Sequence, residues 1–140
     1  MIEAGPDRDP GCVFCSIVAG DAPAERVFED DGTLAFMDVS PASDGHTLIV
    51  PKRHLPDVFA LGQPEADAVW HTTLRVARAV RDALDPDGMN LHQSNGRVAN
   101  QHVFHFHLHV IPRYATGGTA SRSRIREMAE RIRAVVDAAG

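Results

Sequence analysis

Apolar and polar positions alternate with period two across Val103-Phe-His-Phe-His-Leu-His-Val-Ile111, the spacing of a strand whose side chains leave opposite faces. The pattern predicts a core face of Phe104, Phe106, Leu108 and Val110 and an opposite face of His105, His107 and His109. Upstream, the apolar run Val13–Ala19, closed by Gly20 and Pro23, predicts a short helix with its own stop signal. Arg26–Glu29 and Thr33–Met37 flank Asp30-Asp31-Gly32, a hairpin ending at Asp38, and His46–Val50 is the next strand, closed by Pro51. Pro64 opens a helix with an apolar stripe through Val69, Leu74, Ala77, Val80 and Leu84, and Asp85-Pro86-Asp87-Gly88 ends it. Met89–Gln93 reads as a strand that returns through the polar loop 94–101 into the histidine strand, a second hairpin. The last amphipathic helix carries Ile125, Met128, Ala129, Ile132 and Val136 on one stripe. Its five arginines between Arg122 and Arg133 are expected mostly on a solvated face and secondarily as an anion-contacting tail. The predicted class is α+β, an antiparallel sheet of about five strands with a covering helix and a C-terminal helix.

A chain of 140 residues, 44% hydrophobic, is long enough for one core and too short for two full domains. Residues 1–11, with two Pro, two Gly, four charges and no periodicity, read as a flexible lead-in, and 12–140 as one domain. The net charge of -5 argues against general polyanion binding, so nucleic acid is not an expected partner and a phosphate ligand should be a small molecule. No stretch has the apolar length to cross a bilayer, and the acidic first residues lack a signal-peptide core, so a cytoplasmic location is expected.

Three imidazoles on one strand face can bind metal, hold a phosphate or supply a nucleophile. An incidental solvent-facing row would more commonly carry Thr, Lys or Glu. Cys12 and Cys15 have the spacing of zinc ligands, and a structural zinc needs two further nitrogen or sulfur donors. A redox dithiol and a pair of inert buried thiols are the competing readings. Spacing alone does not choose the completing histidines among the eight present, and His54, at a strand exit, gains meaning only if something completes it.

His105-Phe-His107-Leu-His109-Val-Ile, with Gln101 four residues before it, resembles the signature of the histidine-triad (HIT) superfamily. Phe36-Met-Asp38-Val-Ser-Pro41 and Gly45–His54 are similar to the family's nucleoside-binding edge and following strand, and the C-x-x-C resembles its zinc-bearing bacterial branch. The likeness spans roughly residues 12–113 and leaves out the C-terminal helix. It implies that His107 attacks the α-phosphorus of a nucleotide to form a covalent nucleotidyl-imidazole, which water then resolves. It implies that His109 holds the phosphate oxygens, that Gln101 contacts phosphate or leaving group, that Asp38 accepts the ribose hydroxyls, and that Val39, Ser94 and His102 complete the nucleotide-binding set. Zinc is implied on Cys12, Cys15, His54 and His105. Three positions differ from the usual family pattern: Asn100 replaces a glycine, His102 a Ser or Thr that contacts phosphate, and Ser94 an Asn that assists the phosphate.

Imidazole chemistry agrees with these roles. A neutral imidazole is nucleophilic and leaves well when protonated, provided its other nitrogen donates to a fixed acceptor, for which a neighbouring backbone carbonyl would serve. Gln101, Ser94 and His109 would then receive the developing phosphoryl charge. The leading expectation is a nucleotidyl hydrolase or transferase acting on purine nucleotide conjugates, either phosphoramidates or dinucleoside polyphosphates. A nucleotide-binding regulatory protein with weak or vestigial catalysis is the alternative. A zinc-stabilised interaction module would leave Asp38, Gln101 and His107 unexplained, and nucleic-acid processing lacks a basic surface. Family members of this size are commonly homodimers with joined sheets, so the resemblance implies a homodimer.

Overall fold

The computed structural model describes residues 8–139, so residues 1–7 of the expected lead-in lie outside the described residues. Arg8 pairs with Asp21 at 2.8 Å. Helix α1, Val13–Ala19, starts on Cys12, whose side chain accepts the Cys15 N–H, and stops at Gly20, whose φ of 83° suits glycine. Strands β1, Arg26–Glu29, and β2, Thr33–Met37, form the expected hairpin, followed by β3, Thr47–Pro51, and helix α2, Gln63–Leu84. Strand β4, Gly88–His92, pairs with β5, Leu108–Arg113, and helix α3, Ile125–Ala138, closes the described chain. The five strands form one antiparallel sheet in the order β1-β2-β3-β5-β4. Among the described residues no helix is long and apolar enough to cross a membrane.

Each face of the sheet has its own cover. Ala35, Met37, Ile49 and Val110 pack against α2 and α3 in one apolar cluster. Leu34, Phe36, Leu48 and Val50, the alternate residues, pack beneath Cys12, Phe14, Cys15 and Ile17 at α1. Every residue of β2 and β3 is therefore buried, whereas β4 lies at the sheet edge with one side open.

Two sequence expectations need correction. The histidine stretch is a strand only from Leu108 onward. Its first half would have to pair with the end of β3, but Pro51 offers no N–H to a ladder. Instead Phe106 N–H donates to Leu55 O at 2.7 Å and the His105 ring bonds to Pro51 O at 2.7 Å. The buried stripe of α2 is also rotated from the predicted one: it runs through Val69, Thr72, Thr73, Val76, Ala79 and Val80, and Leu74 is exposed. Two threonines tolerate burial because Thr72 Oγ1 meets Thr33 Oγ1 at 2.6 Å and Thr73 Oγ1 donates to Val69 O at 2.8 Å.

The five arginines near the C-terminus lie mostly on a solvated face, as expected: Arg122, Arg126 and Arg131 are exposed, and Arg124 and Arg133 half-buried. Arg122 reaches Ser40, Arg124 Asp44, Arg126 Glu25, Arg131 the Ala83 carbonyl and Arg133 the Arg26 carbonyl. Such surface contacts contribute little energy each. The burial of Met128, Ala129, Ile132 and Val136 holds α3 down.

Gly45 leads into β3 with φ of 95°, and a Cβ there would lie 2.4 Å from Leu84 Cδ1 and 3.1 Å from Pro112 Cγ. Gly45→Ala is expected to lower unfolding free energy by about 1–3 kcal/mol through backbone strain and overpacking. Urea denaturation should show a lower midpoint with an unchanged slope.

Candidate functional site

The sheet register gathers the site. Phe36 pairs with Leu48, Leu48 with His109 and His109 with His92, so these four side chains form one row on the α1 face. His46 precedes Leu48 by two residues and shares its face, and Asp38 N–H donates to His46 O at 3.1 Å, one step beyond the end of β2. A cavity of about 600 Å³ opens over this row. Phe14, Ile17, Phe36 and Leu48 line its apolar part, and Asp38, His107 and His109 its polar part. Apolar walls with a few convergent polar groups are the usual form of a small-molecule site.

The hydrogen bonds assign a proton to each imidazole. His107 Nδ1 lies 2.8 Å from the His105 carbonyl and must donate to it, which leaves Nε2 as a bare lone pair. A second chain starts at Ala42 N–H, which donates to His46 Nδ1 at 2.9 Å. His46 therefore carries its proton on Nε2 and donates it to His109 Nδ1 at 2.8 Å. His109 in turn carries its proton on Nε2. The site thus holds a nucleophilic nitrogen and a neutral N–H donor on adjacent rings, with centroids 5.0 Å apart. Burial lowers the pKa of His46 and His107 and pushes His109 down to about 4, so all three are neutral near neutral pH. Asp38 Oδ1 accepts Ser40 N–H at 2.8 Å, and Oδ2 lies 3.5 Å from His46 Nε2.

Cys12, Cys15, His54 and His105 form a second constellation, their ligand atoms all within 4.8 Å of one another. The Sγ to Nδ1 distances are 3.5 Å for Cys12 and His105, 3.4 Å for Cys15 and His54, and 3.6 Å for Cys15 and His105. A tetrahedral zinc with ordinary Zn–S and Zn–N bonds has S···N edges of about 3.6 Å. His105 Nε2 donates to Pro51 O at 2.7 Å, so its Nδ1 lone pair faces the sulfurs. Burial pushes the Cys12 thiol up to about 11, a cost that a dication among the donors would reverse. The donor set fits zinc.

The expected residues fall into three groups. Asp38, Val39, His102, His107 and His109 line the cavity, and Cys12, Cys15, His54 and His105 converge beside it. Gln101 stands behind the wall, 1% exposed, with Oε1 accepting Gly96 N–H and Nε2 donating to the Pro56 and Val103 carbonyls. Ser94 is also set back from the cavity, its Oγ 3.1 Å from His92 Nε2. Asn100 lines the cavity with φ of 72°, the left-handed conformation its glycine-like position demands. The sequence reading missed His46, which two-residue spacing from Leu48 could have placed, and Phe14, whose ring meets His107 edge-on at 5.1 Å. No sequence signal marked Phe14, because α1 reaches the site only through tertiary packing.

Comparison with known proteins agrees with this geometry. A family model described as HIT domain matches residues 19–116. The chain is 45% identical over 106 residues to a protein named "Protein hit" of Bacillus subtilis, covering 76% of this chain and 73% of that one. It is 39% identical over 102 residues to "Adenosine 5'-monophosphoramidase hnt1" of Schizosaccharomyces pombe, covering 73% and 74%. The crystal structure of a Zn-bound histidine triad family protein from Mycobacterium smegmatis superposes with a TM-score of 0.82 at 37% identity, covering 93% of this chain and 98% of the other.

A histidine kept neutral by burial adds stability that is present above its unfolded value of about 6.5 and lost as pH falls through its folded value. For His109, pushed down to about 4, chemical denaturation should show stability falling from about pH 6.5 to 4, at up to about 1.4 kcal/mol per unit. His109→Gln should make that fall shallower.

Proposed function

The chain belongs to the HIT family, and from that premise we propose that it is a nucleotidyl hydrolase or transferase, cleaving the α-phosphate bond of purine nucleotide conjugates through a covalent nucleotidyl-His107 intermediate. The observation that carries this reading is the pair of opposite tautomers: a free lone pair on His107 Nε2 beside an N–H on His109 Nε2. The lone pair attacks phosphorus, and the His109 donor receives charge developing on a phosphoryl oxygen. Asp38 accepts the ribose hydroxyls, with Val39 and His102 at the cavity margin, and Phe14, Ile17, Phe36 and Leu48 receive the base. Gln101 acts through the loop it braces, from Gly96 to Val103, and Ser94 reaches the phosphate end through His92. The relative named as an adenosine monophosphoramidase supports phosphoramidates as the first substrates to test.

Zinc is the proposed resident metal on Cys12, Cys15, His54 and His105. When bound, it supplies a structural cross-link between α1 and the segments carrying His54 and His105. Residues 12–140 are taken as one HIT-like domain, working in a reducing, cytoplasmic setting that keeps both cysteines available as ligands. A homodimer through β4 is the proposed assembly, supported by the sheet edges: Arg133 covers the β1 edge at the Arg26 carbonyl, whereas β4 is exposed at every residue but Met89.

Two measurements check these roles. His107→Ala should abolish the covalent nucleotidyl adduct seen by rapid-quench intact mass and lower kcat/KM by about 10⁴-fold or more, while nucleotide binding stays within about tenfold. Retained turnover would overturn the mechanism. Elemental analysis of protein purified without added metal should find about one zinc per chain, and Cys12→Ser should lose the metal and several kcal/mol of stability.

A further inference from the structure

A fourth imidazole stands behind His109, outside both the cavity lining and the histidine signature. His92, the last residue of β4, stands opposite His109 in the β4–β5 ladder, so both rings leave the sheet on one face. Their centroids are 5.6 Å apart. Ser94 Oγ lies 3.1 Å from His92 Nε2, which leaves Nδ1 for a ligand.

Its place along the sheet suggests its use. The site row runs Phe36, Leu48, His109, His92, from β2 to the β4 edge. A nucleotide with its base against Phe36 and its phosphorus at His107 and His109 directs its leaving group toward the end of β4, where His92 is exposed in the single chain. An amine or alkoxide departing there needs a proton. His109 is a poor source: its Nδ1 already accepts from His46, and burial keeps the ring neutral. It can donate a hydrogen bond yet not readily give up a proton.

We propose that His92, oriented by Ser94, is the proton donor to the leaving group, so that its contribution grows with the basicity of that group; this rests on the nucleotidyl-transfer reading above. In the first step the His107 Nε2 lone pair forms the P–N bond as the bond from phosphorus to the leaving group breaks. The departing nitrogen keeps that electron pair and takes the proton of the His92 imidazolium, leaving His92 neutral. In the second step water attacks phosphorus, His92 takes the water proton, and His107 departs with the electron pair of its P–N bond. Both histidines end as they began.

The test is kcat/KM for wild type and His92→Gln on adenosine 5'-phosphate derivatives with graded leaving groups: an alkylamine, an arylamine and p-nitrophenol. Glutamine keeps a polar partner for Ser94 and carries no transferable proton. The variant should lose about 10²–10⁴-fold on the alkylamine compound, with the loss shrinking steadily toward the nitrophenyl ester. Zinc content and thermal midpoint, measured on the same samples, should match wild type. An equal loss across the three compounds, or none, overturns the assignment and leaves the His107 mechanism standing. Wild-type protein inert on all three overturns the nucleotidyl-transfer reading and this assignment with it.

Discussion

The His105 ring, wedged against the end of β3, is the contact on which the two centres jointly depend. Pro51 terminates the ladder because it has no N–H, and the ring nitrogen of His105 takes up the Pro51 carbonyl in its place. That bond turns Nδ1 toward Cys12 and Cys15. The same turn presents the His105 carbonyl to His107 Nδ1. One residue thus completes the sulfur-nitrogen cluster with its side chain and sets the His107 tautomer with its backbone. The cluster is thereby tied to the His107 imidazole, two residues away.

Burial supplies the rest of the electrostatic design. Four imidazoles in a small volume would repel one another if charged, and desolvation keeps His46, His107 and His109 neutral. Neutrality makes a directional relay possible, since each ring then has one donor and one acceptor. The relay runs from the Ala42 amide through His46 to His109. Asp38 is held beside it by Ser40, facing the cavity without neutralising a cationic partner.

The helices divide the remaining work by face. Helices α2 and α3 build the apolar core on one side of the sheet. Helix α1 covers the other side only in part, which is why a cavity exists there. Its seven residues could not stay folded alone. They are held by the apolar contacts of Phe14 and Ile17 and, when metal is bound, by the two cysteines at its N-terminus.

Much of this was legible along the chain because it depends on local periodicity. The hairpin at Asp30–Gly32, the Gly20 stop, the helix opened at Pro64 and the α3 stripe all follow from spacing and turn chemistry, and the structure has each of them. The triad and the Cys12–Cys15 pair marked where candidate chemistry lies, and their likeness to the HIT family, not their spacing, supplied the expected roles. Tertiary structure alone decided how the histidines divide. Alternation put His105, His107 and His109 on one face, yet His105 faces sulfur, His107 a carbonyl and His109 another histidine. The reason is that a strand's parity holds only where a neighbouring strand supplies hydrogen bonds, and Pro51 withdraws them before residue 108. Phe14 and His92 stand near the site for the same kind of reason: each is placed by register or packing between segments far apart in sequence, which no local pattern encodes.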